Sequence, residues 1–197
     1  MSNREERKQN TREKLLAAAA RCFAEKGYAG CSITDIANRA KVAQGTMYVH
    51  FKGKEQLFKA MIEEEHAQGA EKARQAADVR PYLGGILGVM TDCIRDVGFP
   101  VEHRLWTEIL AVAARDSSVR ETFSAGDKAM RTVFVELLRK AAEAGEIDGS
   151  LDLDAVSVWL YALVDGLIAR TADDPGFDFH SHLEVFEVLV RRALGAA

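Results

Sequence analysis

Strand signals are nearly absent from this sequence: no run of alternating β-branched residues is bounded by tight-turn pairs, while apolar residues recur at three- and four-residue spacing throughout. The chain therefore reads as all-α. No apolar run approaches the roughly 18–20 residues of a membrane span, and the opening "MSNREERKQNTREK" lacks the apolar centre of a secretory signal. The expected location is cytoplasmic, with no membrane contact. Three cysteines, Cys22, Cys31 and Cys93, give neither an even disulfide set nor a metal-ligand spacing, and they read as reduced core residues. The histidines are scattered at 50, 66, 103, 180 and 182, with no H-E-x-x-H and no nucleophile elbow. No metal, no cofactor and no catalytic constellation is expected, so the chain does not read as an enzyme.

Charge is present but unevenly placed. Residues 1–54 hold eleven Lys/Arg against five Asp/Glu, a balance of +6, whereas residues 55–197 hold fifteen against twenty-five, a balance of −10. A basic N-terminal module on an acidic body is the electrostatic footprint of a protein that meets a polyanion at one end. A protein that packs DNA without sequence preference would be basic overall and would not need a large acidic domain. With 197 residues, 48% of them apolar, the chain can bury one substantial core or a small module joined to a larger one.

The apolar spacing predicts about nine helices. Leu15, Ala19, Cys22 and Phe23 line a first helix that Gly27 should end. Ser32 stands where an N-cap would open a second, with Asp35 three positions on in a capping-box arrangement and Ile36 and Ala40 facing inward. A turn at Lys41–Ala43 leads to a third helix, Gln44 to His50, and "KGK" separates it from a fourth beginning near Lys54. That fourth helix carries Leu57, Phe58, Met61 and Ile62, then fades into "EEEHAQGAEKARQAAD", as a helix passing from one core to another would. Leu83 to Val97 form a fifth, and a sixth runs between Pro100 and Asp116, with Pro81 and Pro100 at helix starts. The seventh carries Met130 to Ala141 and stops at Gly145. The eighth, about Asp152 to Ala172, is apolar on nearly every side and must be covered all round. Pro175-Gly176 divides it from a ninth holding Leu183, Phe186, Val190 and Ala193.

Two short helices joined by a tight turn, the second opening "QGT", match a helix-turn-helix whose second helix enters the major groove. Gly45, without a side chain, lets the helix start at Gln44 approach a phosphate or base edge closely. Thr46 can donate a hydroxyl hydrogen bond or set its methyl against a thymine methyl. Tyr48, His50 and Lys54 lie where they can reach flanking phosphates. Phe51, lacking a polar tip, reads as core, and His50 fits either role.

The segment "TREKLLAAAARCFAEKGYAGCSITDIANRAKVAQGTMYVHFKGKEQLF" resembles the DNA-binding domain of TetR-family transcriptional regulators. The match rests on the Leu15/Leu16–Ala19–Phe23 face, Gly27-Tyr28, Ile36-Ala37, Gly45-Thr46, Tyr48, Phe51 and Lys54-Glu55. It implies a three-helix reader, residues 1–54, followed by a larger helical domain, residues 55–197, that dimerises and holds a small-molecule pocket. The DNA-binding set expected from these residues and the resemblance together is Thr34, Gln44, Gly45, Thr46, Tyr48, His50 and Lys54, with Lys41, where the chain departs from the family, as a further phosphate contact. Two departures stand out: Lys41 replaces the usual inter-helix glycine, and Ala43 replaces the usual capping serine, at a cost of about 1 kcal/mol.

The segment "RLWTEILAVAARDSSVRETF" resembles the regulatory domain of the branch that includes the choline-responsive repressors. A ligand-responsive repressor acting as a homodimer on a near-palindromic operator, and released by a small, largely apolar effector, is the function the resemblance implies. The large side chains expected to line an effector pocket, with polar anchors among them, are Met90, Phe99, His103, Trp106, Phe134, Trp159 and Asp165. Dimerisation is expected through the last two helices, "LYALVDGLIAR" and "HLEVFEVLVRR", where Gly166 offers a bare crossing surface.

Overall fold

A computed structural model of the chain describes residues 3–96 and 101–196. Among the described residues all regular structure is helical: α1 (Asn3–Gly30), α2 (Ile33–Ala40), α3 (Gln44–His50), α4 (Lys54–Ala76), α5 (Tyr82–Arg95), α6 (His103–Ala113), α7 (Ser117–Glu143), α8 (Leu153–Asp173) and α9 (Phe179–Ala193). The chain packs as two compact units, one from residues 1–65 and 98–123, the other from 66–97 and 124–197. The expected division after Lys54 therefore falls at the first residue of α4, whereas packing divides the chain eleven residues later, inside that helix, and again inside α7. The polar fade along α4 marks this passage between cores.

The first unit is built on α1. Leu15, Leu16, Ala19, Cys22 and Phe23 are buried, as are Ile36 and Ala37 of α2, which packs on α1, Met47 of α3, and Phe51, Leu57 and Phe58. Phe23, Tyr28 and Phe58 form an aromatic cluster with centroids 4.7–5.6 Å apart. Gly27 breaks α1 as expected, with φ +71. A Cβ there would also lie 3.3 Å from the Glu108 carboxylate, which accepts the Tyr28 N–H at 2.6 Å and so ties α6 to the end of α1. Helix α6 joins this unit through Leu105, Trp106 and Ile109, all buried.

The cysteine reading needs correction. Cys22 and Cys31 are buried, as expected of core residues, but they are joined in a disulfide. The chain turns back after α1 and brings their Cα atoms to 5.9 Å, a proximity that counting and spacing along the sequence do not express.

In the second unit α5 supplies Leu83, Ile86, Leu87, Met90 and Ile94, packed on α8 and α9. Phe134, Leu137, Leu138 and Ala141 of α7 complete this core. The Glu146 carboxylate accepts the Leu83 N–H at 2.7 Å, closing the start of α5 where Pro81 offers no side-chain cap. Helix α7 begins at Ser117, thirteen residues before Met130, the first residue of its expected apolar stripe, and Asp116 caps its first turn through the N–H groups of Ser118 and Val119. Helix α8 departs from expectation differently. It is long and apolar enough to cross a membrane by length and composition, yet it is not covered all round: Val158, Trp159 and Leu163 are exposed.

Candidate nucleic-acid interface and apolar sites

Helix α2 is locked before α3 is presented. The Ser32 hydroxyl accepts the Asp35 N–H at 3.1 Å and Asp35 accepts the Ser32 N–H at 2.9 Å, which completes the expected capping box. Lys26 binds the other Asp35 oxygen at 2.8 Å. Lys26 and the Ser32 donors together hold that carboxyl far below the usual range. Arg39 donates to Glu25 at 2.7 Å, fixing the other end of α2 to α1 and lowering the Glu25 pKa.

The turn between the helices is made by Lys41 in the left-handed conformation, φ 57 and ψ 42. Its N–H reaches the Asn38 carbonyl and the Val42 N–H reaches Ala37, so the end of α2 is closed in Schellman fashion. A residue with a Cβ occupies this conformation at a cost of about 1–2 kcal/mol. That is the physical content of the missing glycine. Ala43 caps α3 with no side-chain hydrogen bond, as its methyl requires.

Helix α3 is anchored by one side chain, Met47, which is fully buried. Gly45 and Val49, two residues before and after it, lie about 200° around the helix and so centre the outward face. A Cβ on Gly45 would meet nothing within 4 Å, Val49 is 72% exposed, and Tyr48 beside it is 53% exposed. Gln44 is exposed on the Tyr48 side, while Thr46 and His50 are half-buried on the other flank. Thr34 and Lys41 are exposed, and neither Lys41 nor Lys52 enters an ion pair among the described residues. Val49 is not among the DNA-binding residues expected from the sequence. Its position one turn after Gly45 and opposite Met47 is the signal that marks it.

Two of the expected DNA-binding residues are also engaged within the fold. Lys54 donates to the Tyr28 carbonyl at 2.7 Å with its ammonium 4.5 Å from the Tyr28 ring centre, so it pins the start of α4 to the end of α1. The His50 pKa is lowered, first by burial and then by the nearby charges of Lys8 and Arg12.

The residues expected around an effector separate. Met90 and Phe134 line a narrow apolar crevice with Val89, Cys93, Leu160, Tyr161 and Val164. Its volume is about 20 Å³, little more than one water needs. Phe134 and Tyr161 meet edge to face there at 5.5 Å. Trp159 does not join them: it is 76% exposed on the other side of α8, and that corrects its assignment. Trp106 is buried in the first unit against Phe123, and His103 opens α6 in the same unit, so neither lines the crevice. Asp165 is half-buried on α8 without lining it, and Phe99 lies outside the described residues.

The exposed apolar residues of α8, Val158, Trp159 and Leu163, recur at helical spacing and are matched by Val185, Val188 and Leu189 on α9. A Cβ on Gly166, one turn beyond Leu163, would meet nothing within 4 Å.

A capped helix followed by a short helix with an outward polar and apolar face, on a basic module joined to a larger helical body, defines a helix-turn-helix transcriptional regulator. The chain belongs to the TetR family. Residues 15–61 match the model for bacterial regulatory proteins of the tetR family, and residues 89–195, more than half the chain, match the C-terminal domain of BetI-type transcriptional repressors. Its relatives are regulators rather than enzymes. They include the HTH-type transcriptional repressor AcnR of Corynebacterium diphtheriae, 28% identical over 82% of this chain and 80% of its own. The HTH-type transcriptional regulator TtgR of Pseudomonas putida is 28% identical over 84% and 81%. The fold is shared with GusR of Salmonella enterica (TM-score 0.78, 23% identity, covering 94% and 95%). It is shared also with FadR of Bacillus subtilis in complex with stearoyl-CoA (TM-score 0.76, 21% identity, covering 90% and 96%).

Proposed function

We propose that the protein is a homodimeric repressor that sets two copies of α3 into the half-sites of a near-palindromic operator and is released by a small, largely apolar effector. The observation that carries this reading is the outward face of α3, with Gly45 and Val49 at its centre and Gln44 and Tyr48 beside them. Gln44, Thr46 and Val49 read base edges; Tyr48, Lys41, Thr34, His50 and Lys54 meet the flanking phosphates. Seven residues of helix read too few bases alone, and two readers joined in a dimer supply the rest. The exposed stripes of α8 and α9 suit a second copy of this chain, since two such helices and their two-fold mates make a four-helix interface. Repression agrees with the name of the AcnR relative, and an operator-binding role calls for a cytoplasmic location.

The crevice between α5, α7 and α8 is the effector site in this reading. Its lining offers one hydroxyl, from Tyr161, and one thiol, from Cys93, among apolar groups, which favours an uncharged ligand. A crevice this tight admits such a molecule only if those helices separate, so binding and the shape of the body are linked. Selection of duplexes from a randomised pool by the full-length protein, followed by sedimentation, tests the central claim. Near-palindromic sites bound by two chains are expected; a single asymmetric site bound by one chain would overturn the reading.

A further inference from the structure

Helix α1 begins at Asn3, twelve residues before Leu15, where the match to the family model starts. Residues 3–10 are all exposed, so these turns add nothing to the core. Side-chain bonds at the base of these turns run along the helix: Gln9 donates to Glu13 at 2.9 Å and the Thr11 hydroxyl to the Arg7 carbonyl at 2.9 Å. The charges of these turns are sorted around the axis. At about 100° per residue, Arg4, Arg7, Lys8, Arg12 and Lys14 share one half of the circumference, while Glu5, Glu6 and Glu13 share the other. A merely solvated helix would gain from mixing the signs at four-residue spacing; segregation builds a positive ridge instead.

The ridge has a definite neighbour. Arg12 lies with its guanidinium 5.7 Å from the ring centre of Phe51, the residue just after α3, and it is held there by Glu64 at 3.5 Å. One and two turns further out, Lys8 and Arg4 continue the same row, and neither enters an ion pair among the described residues. The charges of Lys8 and Arg12 are felt at His50, the last residue of α3. The row therefore leaves the reader at the end of its groove-facing helix.

We propose that Arg4 and Lys8 on the first turns of α1 form a second DNA-contacting surface, which binds phosphates flanking the groove entered by α3 and lengthens the footprint of each subunit. This rests on the operator-binding reading above. Phosphate contacts of this kind add affinity and salt dependence without base preference.

The test compares the full-length protein with Arg4→Gln/Lys8→Gln on one selected duplex over a range of salt. Each lost phosphate contact lowers the slope of log affinity against log salt by about 0.9, so a fall of about 1.8 per chain is expected, with the sequence preference unchanged. Trimming the duplex at both ends to the bases protected by the variant should abolish the difference between the two proteins. An unchanged slope in a variant that still binds the operator would overturn the proposal. A parent protein that binds no duplex would instead overturn the operator-binding reading, and the two failures are told apart by the parent alone. Unchanged circular dichroism is expected, because neither side chain is buried; a variant that loses helicity is replaced by Lys8→Gln alone, whose slope should fall by about 0.9.

Discussion

The reader and the body solve the problem of a partner in opposite ways. In the reader, the partner is a polyanion of fixed shape, and the face proposed for it is mostly of a kind that cores leave aside: exposed Lys41 and Lys52 on either side of α3, and an exposed tyrosine and a bare glycine on α3, with Val49 the apolar exception. In the body, the proposed partners are a second copy and an apolar effector, and both call for the same valines, leucines and aromatic rings that build a core. The first kind of surface is visible as composition. The second is visible only once exposure is known, as with Trp159, which reads as interior and lies on the outside.

The largest effect that would break this contrast concerns the apolar face. Trp159→Glu with Leu189→Glu should give a folded monomer whose operator affinity falls by about 100-fold or more, since the second reader is no longer delivered at high effective concentration. Sedimentation and circular dichroism check the two halves of that statement. A variant that remains a dimer removes the face from the proposed interface.

Within the reader, Lys41 sets stability against binding. Lys41→Gly should raise the stability of the first unit by about 1 kcal/mol by relieving the left-handed backbone. It should also weaken operator binding by the loss of one phosphate contact. Thermal melts and binding titrations should therefore move in opposite directions; if both improve, Lys41 makes no DNA contact.

A smaller effect sharpens the assignment of Val49. Replacing each operator thymine in turn by deoxyuridine removes one methyl group, and at one position per half-site the affinity should drop about fourfold, the ~0.8 kcal/mol of one buried carbon. Val49→Ala should remove the preference at that position and no other. If no thymine shows this coupling, the centre of α3 does not read methyl groups.

The smallest expected effect is the pH dependence carried by His50. Its folded pKa lies below the ordinary 6.5, so the neutral ring is the folded form. The associated stability is present in full above 6.5 and declines as pH falls from there through the lowered folded value. DNA phosphates favour the charged ring, so operator binding should take up protons and strengthen as pH falls from about 7.5 toward 6. His50→Gln should flatten both trends, read by melting and by titration across that range; an unaltered profile assigns the titration to another group.

Much of the fold was legible because its signals are local. Gly27 as a break, Ser32 and Asp35 as a capping box, and the fade along α4 each depend on residues within a turn or two of one another. The early start of α7 was missed because it rests on one capping carboxylate, Asp116, ahead of a segment with few large apolar residues. In the reader, the sequence named the helix that faces outward but passed over Val49, because an apolar residue in a helix is read as core until its exposure is seen.

By itself, then, the sequence determined an all-α chain with a basic reader at one end, since helix periodicity, caps and charge are properties of neighbouring residues. Tertiary structure alone decided that Cys22 meets Cys31, that Met90 and Phe134 share a crevice without Trp106 or Trp159, and that α8 and α9 keep an apolar stripe in the open. Each of these is a relation between residues distant along the chain. Burial belongs to the packing of elements against one another, and an apolar side chain has the same chemistry whichever way its helix is turned.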